Sequence, residues 1–206
     1  MRHGLLVTLS LLSALAGASD HSTRSEAIAS ADLNSVKAGA YKLEPQHTQI
    51  VFSISHFGFT KYFGTFSDAS GTLQFDPKNI SAAKLEVSIP IQSVSTTSAK
   101  LTEDLKGDKW FDATQFPVAT FSSTKVARAP DGSLLIVGRF TLHGVSKSMT
   151  LKAKSVGCGV NPLNKTFTAG FEASAILKRS DFGIDLYLPG LGDEVTLIIA
   201  GAFELT

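Results

Sequence analysis

The chain has only one cysteine, Cys158, among its 206 residues. No disulfide can therefore form within the chain, and the fold has to be stabilised by its own apolar core. We interpret Cys158 as a buried, inert thiol in a turn-like setting, residues 156–160. The alternative is an intermolecular bond formed in an oxidising compartment.

An excess of charge of either sign is also missing. Lys and Arg number 19 against 18 Asp and Glu, and loss of Arg2 with a cleaved N-terminal segment leaves 18 against 18. A surface without net charge provides no long-range attraction for nucleic acid or for anionic lipid head groups. The sequence thus predicts no nucleic-acid partner, and it leaves transient membrane contact through apolar groups open.

The N-terminal apolar run is too short to span a bilayer. A short basic start precedes the apolar segment 5–16, and small residues follow at 16–18. This order is typical of a secretory signal peptide with an A-x-A-like cleavage site. We expect residues 1–18 to be a signal peptide cleaved near Ala18, and the mature protein to be periplasmic or secreted.

The segment after the signal has little apolar content. Residues 19–40 are polar and small, so they are expected to form a flexible leader, helical in part, before a single domain at 41–206. About 165 residues are enough for one domain with its own core.

Motifs that carry catalysis or metal binding are missing as well. The sequence contains no G-x-S-x-G elbow and no glycine-rich phosphate loop. His47 and His56 are an odd number of residues apart, so on one continuous strand they would face opposite sides, and His143 lies in a predicted turn. Asp181 and Asp185 are interpreted as turn residues. We therefore expect no enzymatic activity, no cofactor and no metal site.

Alternation of apolar and polar residues is what the chain has in abundance. Ile50, Phe52 and Ile54 share one face, and Ser53 and Ser55 share the other, as in a strand with one apolar face. Similar segments separated by short turns favour a closed barrel or a sandwich. The ten predicted strand segments are 41–43, 49–57, 62–68, 71–76, 84–91, 118–126, 134–142, 148–156, 167–177 and 194–205.

One helix is expected within this pattern. Ser98 is a good N-cap and Gly107 a good terminator, so the helix is predicted over residues 99–106. Leu101 and Leu105 are four residues apart and share a face. The expected fold class is all-β, an antiparallel barrel of about eight strands with one short helix.

Five segments, in this order along the chain, resemble the YceI-like family of secreted bacterial proteins that bind lipids or polyisoprenoids. They are HTQIVFSISHFG at 47–58, GTFSD at 64–68 with Gly71, the stretch 105–121 with WFDA and FPVATF, FTLHGVSK at 140–147, and RSDFGI at 179–184. The resemblance covers about residues 40 to 206.

The resemblance implies an eight-stranded antiparallel, lipocalin-like barrel with an elongated apolar cavity. It also implies a long-chain amphiphilic ligand, such as a polyisoprenoid, an isoprenoid quinone or a fatty amide. Alternation alone leaves open whether inward side chains fill a core or line a container, and the resemblance favours the container. The predicted lining residues are Phe52, Ile54, Phe66, Phe75, Leu85, Val87, Ile89, Phe121, Phe140, Leu142, Phe171 and Leu197.

The polar end of such a ligand would lie at the mouth of the barrel. His47, His56, Trp110 and Arg179 are the candidate contacts for it. The sequence therefore predicts a binding protein that sequesters or carries a long-chain lipid. The alternatives are a filled barrel that binds a protein partner in a stress response, and an enzyme acting on a hydrophobic substrate; a homodimer is also left open.

Overall fold

The structure is a computed structural model that describes residues 28–206. The expected signal peptide, residues 1–18, and the first part of the expected leader, residues 19–27, lie outside the described residues. The strands are β1 (Gly39–Leu43), β2 (Gln49–His56), β3 (Thr60–Phe66), β4 (Ser70–Phe75), β5 (Lys84–Pro90), β6 (Val118–Arg128), β7 (Leu134–Leu142), β8 (Val145–Val160), β9 (Phe167–Lys178) and β10 (Leu191–Leu205), and the helix is α1 (Ala99–Lys106).

These ten strands form a closed barrel of eight, because two pairs of them run end to end. β10 pairs with β2 through residues 191–200 and with β1 through residues 203–205, so β1 and β2 share one edge of β10. β2 pairs with β3, and β1 pairs with β4, in the same manner. The remaining strands follow in sequence from β4 to β10, all antiparallel. The predicted eight-stranded antiparallel barrel is confirmed.

The helix is also where the sequence predicts it. The Ser98 side chain accepts a hydrogen bond from the Leu101 backbone N–H at 3.3 Å, and Gly107 follows the last helical residue. α1 belongs to a long connection, residues 91–117, between β5 and β6. Leu101 and Leu105 both turn towards the barrel interior.

The direction of the strands defines two ends of the barrel. At one end, called the mouth, lie the hairpin tip 57–59, the connection 91–117, the turn 143–144 and the loop 179–190. At the other end, called the far end, lie the segment before β1 and the turns that precede β5, β7 and β9. The two ends differ in how they are closed.

The segment before β1 packs on the far end, which differs from the expected leader. In the described part of that leader, residues 28–40, Leu33 and Val36 are buried in the core. The Tyr41 hydroxyl donates a hydrogen bond to the Lys37 carbonyl at 2.6 Å. Two apolar residues are too few to produce a periodic signal in the sequence, so their burial was not predicted.

Cys158 lies in a strand rather than in a turn. β8 runs on to Val160 through a register shift between Ser155 and Gly157. Beyond the end of β7 its free edge pairs with Ser30, whose backbone N–H and carbonyl bond to Cys158 at 2.9 and 2.8 Å. Gly159 permits this approach, since a Cβ there would lie 2.6 Å from the Ile28 carbonyl oxygen. Burial raises the pKa of the Cys158 thiol, which agrees with an inert cysteine.

The burial of Tyr41 at the far end can be tested at alkaline pH. This residue is only 1% exposed. Burial, with a smaller contribution from Cys158, raises the pKa of Tyr41 to about 12. The phenol ionises more readily in the unfolded chain than in the folded protein. The contribution of the neutral, buried phenol to the free energy of unfolding is therefore complete below pH 10 and declines as pH rises towards 12. We expect the free energy of unfolding to fall by roughly 1–3 kcal/mol over this range.

Urea denaturation at several pH values measures this slope. Tyr41→Phe should reduce the slope of the free energy of unfolding against pH by the equivalent of about one proton. The lost hydrogen bond to Lys37 lowers stability by the same amount at every pH, so it does not affect this slope. Equal slopes for the two proteins between pH 10 and 12 would show that Tyr41 is not buried in solution.

Candidate functional site

An apolar cavity of about 480 Å³ lies inside the barrel and opens at the mouth. Its wall consists almost entirely of carbon atoms, contributed by all eight strands of the barrel and by the connection 91–117. Pockets of roughly 300–1,000 Å³ hold drug-sized ligands in other proteins. The barrel is therefore hollow over part of its length and is not filled by its own side chains.

All twelve residues predicted to line a cavity do line it in the structure. They are Phe52, Ile54, Phe66, Phe75, Leu85, Val87, Ile89, Phe121, Phe140, Leu142, Phe171 and Leu197. Strand parity places them correctly because the bulges lie elsewhere, at 123–125, 155–157 and 191–195. Their contact with a ligand stays a prediction.

A row of aromatic rings follows one wall of the cavity, formed by β2, β3 and the connection 91–117. The Phe66 ring centroid lies 5.6 Å from that of Phe52 and 5.6 Å from that of Phe111, in tilted and edge-on contacts. Phe52 lies over Gly64 of the neighbouring strand, where a Cβ would collide with the ring. The glycine thus lets the ring lie against the wall, which leaves the interior open.

A second aromatic group stands deeper in the barrel. The Phe171 ring lies 6.0 Å from Phe75 and 6.1 Å from Phe203, both edge-on. Such pairs add about 0.5–1.5 kcal/mol each beyond the apolar area that they bury. They connect β4, β9 and β10 at the deep wall of the cavity.

The connection 91–117 closes the side of the mouth. β3 has β2 on one edge, and in the described chain its other edge pairs only through Thr65, whose N–H and carbonyl each bond to Ser95 at 2.9 Å. Leu101, Leu105 and Phe111 fill the gap beside it and line the cavity. Sequence reasoning recognised the helix but did not assign it to the cavity wall.

Of the four candidate head-group contacts, His56 and Trp110 lie at the mouth. Both line the cavity. The His56 ring contacts Phe57 edge-on at 4.8 Å, and the Trp110 ring lies 6.2 Å from Tyr187. These side chains combine an apolar face with a polar tip, so they suit a boundary between a carbon-lined cavity and water.

His47 lies outside the cavity, contrary to expectation. The chain leaves the sheet between β1 and β2, and this interruption places His47 in an exposed loop. Its Nδ1 is 2.6 Å from a Glu44 carboxylate oxygen, and its backbone N–H donates to the same oxygen at 2.8 Å. The predicted strands end at residue 43 and begin again at residue 49, so strand alternation set no direction for the His47 side chain.

Arg179 lines the cavity, but its donors are used inside the protein. The residue is only 4% exposed. Its guanidinium donates to the carbonyls of Ile184 at 2.9 Å, Leu191 at 3.2 Å and Gly192 at 2.8 Å. Burial lowers the pKa of Arg179, and the nearby carboxylates of Asp193 and Asp185 oppose this shift. Arg179 therefore holds the loop at the mouth in place.

A carboxylate fixes the other side of the same loop. Asp193 accepts hydrogen bonds from the backbone N–H of Ser180 at 3.0 Å and from its hydroxyl at 2.8 Å. Although burial acts in the opposite direction, these bonds lower the pKa of Asp193. The turn after β9 is thereby tied to the start of β10.

Phe57 and Tyr187 at the mouth were missed in sequence reasoning. Both line the cavity and yet are exposed to solvent. The signal that could have found them is an apolar residue in a predicted turn, as in the Phe57-Gly58-Phe59 tip of the hairpin.

Within residues 28–206, no three His, Cys, Asp or Glu side chains form a group that could hold a metal ion. No helix of that same part of the chain has the length and apolar character needed to cross a membrane.

Curated bacterial proteins are similar to this chain over most of their own length. The chain is 42% identical over 168 residues to Protein YceI of Salmonella arizonae, which covers 81% of this chain and 87% of that protein. It is 41% identical over 165 residues to a UPF0312 protein of Pseudomonas aeruginosa, over 79% of this chain and 85% of the relative.

Solved structures show the same fold. BcnA of Burkholderia cenocepacia superposes with a TM-score of 0.70 at 21% identity, over 78% of this chain and 98% of BcnA. The YCEI protein of Campylobacter jejuni superposes with a TM-score of 0.64 at 28% identity, over 74% of this chain and 90% of the other. A polyisoprenoid binding domain from Saccharophagus degradans gives a TM-score of 0.59 at 15% identity, over 82% and 100%.

The family profile described as the YceI-like domain matches residues 41–203. This range begins in β1 and ends in β10, so it spans the whole barrel. Together with the relatives of more than 40% identity, the match shows that the chain belongs to the YceI-like domain family.

Proposed function

We propose that the protein binds one long-chain amphiphilic lipid, a polyisoprenoid or an isoprenoid quinone, with its apolar tail inside the barrel. The observation that carries this proposal is the carbon-lined cavity that opens at the mouth. An isoprenoid tail has no hydrogen-bonding groups, so a wall made almost entirely of carbon atoms matches it. The structural neighbour described as a polyisoprenoid binding domain supports the same class of ligand.

The binding energy is expected to come from buried apolar area. Each Å² of apolar surface removed from water contributes about 25 cal/mol, from which the cost of ordering the ligand is subtracted. A tail of tens of carbons can therefore bind tightly without any polar motif. The absence of a catalytic motif from the sequence is in accord with a protein that holds its ligand unchanged.

The head group of the lipid is expected to stay at the mouth. His56, Tyr62, Trp110 and Tyr187 all line the cavity there and carry polar atoms beside apolar rings. Tyr62 also bonds to Thr97 through its hydroxyl at 3.3 Å, which ties β3 to the connection 91–117. These groups can bond to a quinone carbonyl or a phosphate while the tail lies below them.

The protein is expected to act outside the cytoplasm, as a carrier or store for this lipid. The signal-like segment 1–18 supports export, with cleavage near Ala18. A lipid with a long apolar tail is poorly soluble in water. A protein that encloses the tail would allow such a molecule to leave a membrane and cross an aqueous compartment.

Mass spectrometry of an organic extract tests the proposal. The protein is produced in a cell that exports it from its own signal segment, purified without detergent and extracted. We expect close to one prenyl lipid or quinone per barrel. An extract without lipid, repeated after incubation with isoprenoid lipids, would contradict the proposal and favour a protein-binding role.

A further inference from the structure

The mouth of the barrel carries a group of apolar side chains that are exposed, apart from the half-buried Trp110. We call this group the rim: Phe57, Phe59, Trp110, Tyr187 and Leu188. Phe59 is 89% exposed at the tip of the hairpin between β2 and β3, and Tyr187 is 62% exposed. An exposed phenylalanine side chain does not stabilise the fold, so several exposed apolar groups close together indicate a contact surface.

Contacts among three separate chain segments hold the rim together. The Phe57 backbone N–H donates to the Gly190 carbonyl at 2.9 Å, which joins the hairpin tip to the loop before β10. The Trp110 ring lies 6.2 Å from Tyr187, which joins this loop to the connection after α1. Phe57 and Tyr187 have positive φ angles of 50° and 62°, conformations that cost free energy in residues other than glycine.

The rim is continuous with the cavity. Phe57, Trp110 and Tyr187 line the cavity and belong to the rim, so an apolar surface runs from the interior to the outside of the mouth. A lipid tail that follows this surface would meet no polar barrier. The partner that fits such a surface is a lipid bilayer, where lipid tails are found.

Charges beside the rim are mixed in sign. Lys100 pairs with Asp104 at 2.7 Å, and Lys106 pairs with Glu103 at 2.8 Å. α1 thus provides no unpaired basic cluster to attract anionic lipids, and attachment is expected to come from apolar insertion.

We propose that the rim inserts into the surface of a lipid bilayer and places the open end of the cavity against the membrane. Phe59 and Leu188 enter the acyl region, while Trp110 and Tyr187 lie at the level of the head groups, where amphipathic rings are favoured. This inference rests on the proposed function, because it gives the route by which a membrane lipid reaches the barrel.

Flotation with lipid vesicles tests the inference, with Phe59→Ser as the variant and Leu163→Ser as its control. Leu163 is also 89% exposed, but it lies in the turn between β8 and β9 at the far end. Neither residue lines the cavity, so both variants should keep the lipid content of the parent protein. Their N-termini are identical, so any contribution from that segment cancels.

We expect the parent protein and Leu163→Ser to float with neutral phosphatidylcholine vesicles, and Phe59→Ser to bind about tenfold more weakly. Salt at about 0.5 M screens attraction between surface charges, so adding it should change vesicle binding little. Trp110 is the only tryptophan of the chain. Its fluorescence should be quenched by vesicles of brominated phosphatidylcholine, and less so in Phe59→Ser.

Three outcomes would overturn the inference: no flotation of the parent protein, equal loss in both variants, or binding that requires anionic lipid. In the first case a protein partner becomes the better candidate for the rim. Lipid in the extract without flotation would contradict only the inference. Flotation without any extractable or added lipid would contradict only the proposed function.

Discussion

Arg179→Met is expected to lower the free energy of unfolding by about 3 kcal/mol or more, because hydrogen bonds to a charged donor contribute about 1.5–3 kcal/mol each and a buried acceptor left without a partner adds a penalty. The three carbonyls of Ile184, Leu191 and Gly192 would lose their donor in a place that water reaches poorly. Lysine should not restore them, since its single ammonium cannot reproduce the planar fork of arginine.

Arg139→Met is the matched control for this measurement. Arg139 lies exposed on the outer face of β7, so its replacement should change stability by no more than about 0.5 kcal/mol. Chemical denaturation of the three proteins gives the comparison. If Arg179→Met differed from Arg139→Met by less than about 1 kcal/mol, the guanidinium would not be what holds the mouth loop.

Loss of the mouth loop should also be visible in the lipid content. The loop from residue 183 to 190 carries Tyr187, which lines the cavity and belongs to the rim. A variant that still folds but releases this loop would lose one wall of the mouth. We therefore expect folded Arg179→Met to retain less lipid than the parent protein after the same purification.

The strands and the cavity wall were predictable because both depend on local alternation. Each strand presents every second residue to the interior, so the positions of Phe52 and Leu197 follow once the strands are recognised. The rule does not reach His47, which lies in the loop between β1 and β2 and between the predicted strands 41–43 and 49–57. Pro45 in this loop is a turn signal that could have marked the interruption.

Other features depended on contacts between distant parts of the chain. Leu33 and Val36 are buried only because the far end of the barrel is there to receive them. Gly157 and Gly159 suggested a turn around Cys158, whereas they permit the segment 28–30 to approach the edge of β8. Arg179 lines the cavity, but its partners are backbone carbonyls, which a sequence does not display.

Ala173→Trp is expected to reduce the retained lipid by at least tenfold, because the indole would occupy the space of the lipid tail. Ala173 lines the cavity in β9 and lies between Ala153 of β8 and Ile199 of β10. The side chains of the two alanines are small, so we expect a large apolar ring at residue 173 to extend into the cavity.

Stability of the lipid-free protein distinguishes a container from a filled core. In a hollow barrel the indole of Ala173→Trp buries apolar surface, so the free energy of unfolding should stay equal or rise. In a packed core the same ring would cost about 1–3 kcal/mol through overpacking. Ser174→Trp, on the exposed outer face of the same strand, is the control and should leave the lipid content unchanged. Loss of stability in Ala173→Trp with no change in lipid content would place the ligand outside the barrel.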